Sequence, residues 1–166
     1  MLSSDSSAGP RVPMLAALTL SVLGILGALA LEVVLGLVPC ELCLVQRWAY
    51  YIGIPLILAA TVADGGLPRP VGLALSGAAI IVFAWGSWMG AYHAGVEWGF
   101  WSGPASCTGL LQDIDLGAIR DMSPVIRCDT PQFRVLGISL AGYSAVLCAT
   151  VVVLIGTVLF RRRPVR

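Results

Sequence analysis

Four apolar runs alternate with short polar breaks along this chain, and the placing of those breaks predicts its elements. From Val12 to Val38 only one ionisable residue, Glu32, interrupts the apolar pattern. A bilayer-crossing helix needs about 20 apolar residues at a rise of about 1.5 Å each, so this run spans with some tilt. Ala28-Leu29-Ala30 faintly resembles a cleavage site. The run nevertheless exceeds the roughly 7–15 apolar residues of a signal peptide, and is read as a retained helix. Pro39 is expected to stop it. A second run covers about Leu44 to Ala63, with Trp48, Tyr50 and Tyr51 near its start, as suits rings at a membrane–water boundary. Asp64-Gly65-Gly66-Leu67-Pro68-Arg69-Pro70 reads as a turn. A third run extends from Val71 to about Tyr92 and holds Gly86-Ser87-Trp88-Met89-Gly90, a small-xxx-small pattern read as helix packing. Residues 93–134 turn polar. Within them Gly109–Met122 sets Leu110, Leu111, Ile114 and Ile119 among aspartates, in the manner either of a short surface helix or of an irregular loop. The fourth run, Val135 to Phe160, ends at Arg161-Arg162-Arg163.

Composition agrees with the pattern. Of 166 residues, 58% are hydrophobic and 11% charged, against roughly a quarter charged in soluble domains. The expected fold is all-α: an integral membrane four-helix bundle with a short CxxC turn and one larger periplasmic loop. Its predicted parts are a disordered cytoplasmic tail (1–11), a membrane domain (12–160; spans about 12–38, 44–63, 71–92 and 135–160, loop 93–134) and a basic cytoplasmic tail (161–166). A formal charge of +1 gives no electrostatic case for nucleic acid. All ten basic residues are arginines. Arg11, Arg69, Arg161, Arg162, Arg163 and Arg166 fall on one side of the predicted spans. Arg47, Arg120, Arg127 and Arg134 fall on the other with most of the acidic residues. The positive-inside rule then puts both termini in the cytoplasm and the polar loop on the outer face, which in a bacterium is the oxidising side of the inner membrane.

Five cysteines remain: Cys40, Cys43, Cys107, Cys128 and Cys148. Four lie on the predicted outer face, while Cys148 sits mid-span as a small hydrophobe with no assigned role. Cys40 and Cys43 sit in Pro39-Cys40-Glu41-Leu42-Cys43-Leu44-Val45-Gln46-Arg47, between spans one and two. If the second helix begins near Cys43, that sulfur meets the positive end of the helix dipole. Arg47 lies at i+4 on the same face, and both effects favour a thiolate. A zinc site would need a second close cysteine pair, and Cys107 and Cys128 are too far apart for that spacing; a purely structural disulfide is the other bland reading. Cys107 and Cys128 would, as a structural bridge, close a loop of about twenty residues worth about 3 kcal/mol. As a redox pair they would be a mobile, accessible disulfide open to an outside thiol. Beside a CxxC on the same face, the redox role is preferred.

Pro39-Cys40-Glu41-Leu42-Cys43, Arg47, Cys107, Cys128-Asp129 and Leu136-Gly137-Ile138-Ser139-Leu140-Ala141-Gly142 together resemble the DsbB family of disulfide bond formation proteins. The resemblance covers about Leu15 to Phe160. It implies a membrane protein-thiol oxidase, dependent on a quinone (ubiquinone or menaquinone), that reoxidises a periplasmic thioredoxin-fold, DsbA-like partner. By that resemblance Cys107 takes the mixed disulfide and Cys128 is its exchange partner. Cys40–Cys43 receives the electrons, and Cys43 passes them to the membrane quinone through a charge-transfer contact. Arg47 lies at the quinone site, and the single histidine, His93, is similar in position to a family histidine near the quinone. A lone histidine at an interface is otherwise an ordinary polar residue. The residues agree with a lipid-soluble acceptor, because the chain carries no glycine fingerprint for flavin or nicotinamide.

Glu32, about one and a half turns inside the outer face, has three readings: proton uptake by reduced quinone, pairing with Arg47, or snorkelling to the interface, the last preferred. Two other classes compete for the whole chain. One is a small proton-coupled exporter using Glu32, with structural cysteines; the other is a binding or scaffold membrane protein. The vitamin K epoxide reductase-like enzymes perform similar chemistry but carry their quinone-facing CxxC late in the bundle.

Overall fold

The structure, a computed structural model, describes residues 11–63, 68–104, 107 and 127–161. The tails, most of the turn expected at Asp64–Pro70 and the segment Gly109–Met122 lie outside the described residues. Four long helices account for nearly all of what is described: α1 (Arg11–Leu35), α2 (Glu41–Ala63), α3 (Arg69–Glu97) and α4 (Leu140–Arg161). Each is long and apolar enough to cross a membrane. α2 packs on α3, α3 on α4, and α1 on both α4 and α2, which closes an up-down-up-down ring.

The helices meet through small residues and interlocking apolar side chains. Met14 and Ala17 of α1, Ile57 and Ala60 of α2, Ala79 and Phe83 of α3, and Val151 and Ile155 of α4 form one buried cluster. Tyr50 is set edge-on to Phe83, with ring centroids 6.0 Å apart. The outer faces stay apolar, as Val33, Val34 and Ile81 show, so the surface that water would disfavour is the one that faces lipid. Gly90 of the small-xxx-small pattern lies directly against α4: a Cβ there would come within 2.8 Å of the Ala145 backbone nitrogen.

Besides small shifts at the starts of α2 and α3, three boundaries differ from the sequence reading, each for a local reason. α1 stops at Leu35 rather than at Pro39. Gly36 takes φ +65°, a left-handed cap that only glycine adopts without strain, and the Leu37 amide turns back to the Leu31 carbonyl at 3.4 Å. α3 runs on to Glu97, beyond the expected Tyr92, because Ala94, Gly95 and Val96 are buried and continue the helix against its neighbours. α4 begins at Leu140, preceded by a small hairpin, β1 (Arg134–Val135) and β2 (Ile138–Ser139), paired antiparallel. Its two turn residues, Leu136 and Gly137, both have positive φ, as a primed hairpin turn requires.

Candidate functional site

At one end of the ring α1 and α3 finish while α2 and α4 begin, and the chemistry-bearing residues gather there. Cys40 immediately precedes α2. Its carbonyl accepts the Leu44 amide at 3.1 Å and its Sγ accepts the Cys43 amide at 3.3 Å. Cys40 is therefore the N-cap of α2, with sulfur in the place usually taken by a serine or aspartate oxygen. The Cys40 and Cys43 sulfurs lie 2.7 Å apart. The hydrogen bond from the Cys43 side chain lowers the Cys40 thiol to about 5, outweighing the effect of its burial and assisted by His93. The expectation that Cys43 sits at the helix start is thus corrected. α2 begins two residues earlier, so the cap, and the thiolate it favours, belong to Cys40.

The next turn of α2 carries Gln46 and Arg47. Arg47 pairs with Glu32 of α1 at 2.7 Å. Of the three readings of Glu32, the structure shows the pairing: the guanidinium meets the carboxylate across the α1–α2 interface. Gln46 is buried and its Nε2 lies 2.7 Å from Nδ1 of His93. The extended end of α3 carries His93 inward, 2% exposed, with Nε2 3.7 Å from the Cys40 sulfur. One turn on, Glu97 lies 3.8 Å from that same nitrogen.

The Cys107–Cys128 disulfide, Cα atoms 5.3 Å apart, lies directly over this group. Both cysteines are 1% exposed and cluster with Cys40 and Leu42, with Cys43, Met89 and Tyr92 packed against them. This corrects the expectation of an accessible disulfide: the bridge faces the CxxC and not the surroundings. The segment after it is tied down by Gln132, whose Nε2 donates to the Val38 carbonyl at 2.7 Å. Arg127 chelates Asp129 through two hydrogen bonds, of 3.0 and 2.5 Å, which raises the guanidinium and lowers the carboxyl from their ordinary values. The last turn of α3 is braced by Trp101, stacked on Tyr92 with centroids 6.0 Å apart and donating to the Tyr92 carbonyl at 2.9 Å.

Beneath the sulfurs opens a cavity of about 460 Å³. Leu23, Gly24 and Gly27 of α1 and Tyr143 and Leu147 of α4 line its apolar body, while Cys40, Cys43, Arg47, His93 and Glu32 meet at its polar end. An apolar slot with a few convergent polar groups is the ordinary form of a small-molecule site. Its residues fit a lipid-soluble ring with carbonyl acceptors, for which Arg47 is the obvious donor.

All six sequence-predicted site residues, Cys40, Cys43, Arg47, His93, Cys107 and Cys128, therefore gather at this end of the bundle. Sequence reasoning missed Gln46 and Glu97. Their signal was helical spacing, Cys43 to Gln46 at i+3 and His93 to Glu97 at i+4, and the second was hidden by ending the third helix at Tyr92. Cys148 lies in the apolar core, fully buried.

The family model described as disulfide bond formation protein DsbB matches residues 10–158. Disulfide bond formation protein B of Polaromonas sp. is 30% identical over 146 residues, 81% of this chain and 80% of the relative. Disulfide bond formation protein B 1 of Pseudomonas putida is 29% identical over 159 residues, 90% and 89% of the two chains. An uncharacterized protein of Rickettsia prowazekii is 25% identical over 156 residues, 90% and 88% of the two. No solved structure matches the chain.

Proposed function

This chain belongs to the DsbB family of disulfide bond formation proteins, and from that membership we propose that it reoxidises a periplasmic DsbA-like, thioredoxin-fold oxidase and passes the electrons to membrane quinone. One observation carries the reading: the two cysteine pairs pack against each other, and the CxxC pair also lines an apolar cavity headed by Arg47.

The thiol chemistry balances as a chain of exchanges. Docking of the partner uncovers the bridge, the partner's thiolate attacks Cys107, and the Cys107–Cys128 bond breaks with Cys128 leaving as thiolate. Cys128 then attacks Cys40 of the Cys40–Cys43 disulfide, and Cys43 leaves as thiolate into the cavity, in the first turn of α2 with Arg47 one turn on. The partner's second thiol resolves the mixed disulfide and departs oxidised. The freed Cys107 attacks Cys128, which restores the loop disulfide and leaves Cys40 and Cys43 reduced. Arg47 and the apolar walls of the cavity would hold a quinone, which would supply an acceptor for two electrons and two protons when Cys40–Cys43 closes. The roles of this chain's residues follow from their places. The Cys43 amide holds Cys40 as the sulfur that loses its proton, Arg47 donates to a carbonyl oxygen, and His93 lies beside Cys40 to move a proton. A proton-coupled exporter would need Glu32 to exchange protons, and its ion pair with Arg47 favours the redox reading.

The test is quinone reduction by the purified protein given a reduced DsbA-like partner, followed by absorbance in the wild type and in Cys43→Ser. Turnover that disappears in the variant supports the relay and its terminal acceptor. A wild type that turns over with neither ubiquinone nor menaquinone removes the proposal.

A further inference from the structure

Cys40, Cys43, His93 and Glu97 come together in a way that sulfur exchange alone does not require. The two sulfurs and His93 Nε2 all lie within 4.8 Å of one another. Glu97 has a side chain only 5% exposed, with Oε1 3.8 Å from that nitrogen. Its Oε2 is buried and has no hydrogen-bond partner among the described residues. A buried carboxylate oxygen left without a partner carries a free-energy cost, which a cation beside it removes.

We propose that these four residues, with Cys40 and Cys43 in the dithiol state, bind a borderline-soft divalent cation of the Zn2+ class, and that occupation withholds the dithiol from reoxidation. Two thiolates and an imidazole select such a cation over Mg2+ or Ca2+, which take oxygen donors. Tetrahedral coordination at ordinary zinc bond lengths puts sulfur about 3.6 Å from nitrogen and sulfur about 3.8 Å from sulfur. Cys40 Sγ is already 3.7 Å from His93 Nε2. The sulfurs, 2.7 Å apart, need to part by about 1 Å to reach that geometry. Gln46 supplies the outer support: with its amide oxygen turned toward His93 it accepts from Nδ1–H, which leaves the Nε2 lone pair for the metal. Cys107 and Cys128 are joined to each other and do not complete the ligand set. The fold closes the set with the end of α3 instead.

Binding releases the two thiol protons as two metal–sulfur bonds form, and no electron changes hands. The disulfide form has no thiolate to offer, so binding is gated by redox state. The site rests on the proposed function only in that Cys40–Cys43 alternates between dithiol and disulfide; its assay needs neither quinone nor partner.

The test uses the full chain in detergent, reduced with a phosphine that is then removed under anaerobic conditions, and titrated with Co2+ as a coloured stand-in for Zn2+. The reduced protein is expected to take up one equivalent with sulfur-to-cobalt charge-transfer bands and the visible bands of tetrahedral cobalt, both bleached by Zn2+. The oxidised protein shows neither, and Cys148→Ser behaves as wild type. His93→Gln and Glu97→Gln each weaken binding about ten-fold or more, the scale on which coordination-site partners act, with the visible bands altered. Absence of tetrahedral cobalt bands in the reduced wild type overturns the site. So does wild-type affinity in both variants, which would mark adventitious binding to a bare dithiol. A second arm adds Zn2+ during quinone turnover: inhibition reversed by a chelator supports the proposed consequence, and undiminished turnover with the site loaded overturns it. A protein that binds Co2+ as described but never reduces quinone refutes the proposed function and leaves the metal site standing.

Discussion

At the scale of single residues, the position of one sulfur relative to one helix start decides the chemistry. Cys40 and Cys43 have similar neighbours in sequence, but only Cys40 caps α2, accepting the Cys43 amide at 3.3 Å. Its thiol lies well below the usual range, at about 5. The thiolate is the nucleophile, so carboxamidomethylation of Cys40 in the reduced protein is expected to stay nearly constant from pH 8 to 6. It should fall only as pH drops through about 5. An ordinary thiol would lose about ten-fold per unit below about 8.5. Mass spectrometry of the Cys40 peptide reads the profile, and Cys43→Ala, which removes the strongest cause of the shift, should move the midpoint upward. The linkage has the matching sign. A depressed thiol stabilises the reduced fold at pH above its unfolded value, and that contribution is lost as pH falls through the folded one. A Cys40 profile with an ordinary midpoint would assign the thiolate elsewhere.

At the scale of elements, the bundle depends on close helix approach. Gly90 of α3 lies against α4, where an added Cβ meets the Ala145 nitrogen at 2.8 Å and the Ala141 carbonyl oxygen at 3.0 Å. These are backbone atoms, which cannot swing aside as a side chain would. Gly90→Val is therefore expected to destabilise by about 1–3 kcal/mol, read as a lowered midpoint of thermal unfolding in detergent. Gly77→Ala on the same helix, where a Cβ meets nothing within 4 Å, should be neutral or slightly stabilising. Equal effects of the two would show that the α3–α4 approach is not tight. The same helix explains why Glu97 escaped the sequence reading. Polar residues after Tyr92 resemble a loop in isolation, yet Ala94, Gly95 and Val96 are buried and carry the helix one further turn.

At the scale of the whole molecule, four membrane-spanning helices place every candidate redox sulfur at the end of the bundle where α1 and α3 finish. That this end faces the periplasm, with both termini cytoplasmic, is the orientation proposed from the arginines. It predicts that Ser102→Cys, exposed beside the site, reacts with a membrane-impermeant maleimide on intact spheroplasts. Pro68→Cys, exposed at the opposite end, should react only after lysis. The reverse pattern would invert the protein in the membrane and remove the periplasmic partner from the proposal.

The sequence by itself determined the class of protein and singled out the six residues that the fold brings together at one end of the bundle. Apolar runs of bilayer length admit only spanning helices, and the cysteine spacing with Arg47 marks the chemistry without any knowledge of packing. Helix ends and sulfur environments were decided only by the tertiary structure. Whether α1 stops at Gly36 or Pro39 depends on a backbone φ. Whether α3 reaches Glu97 depends on what buries its last turn. Whether the Cys107–Cys128 bridge is open or covered depends on its packing against Cys40 and Leu42. The last two are contacts between segments distant in sequence, and a local pattern carries no information about a partner that the chain has yet to fold beside it.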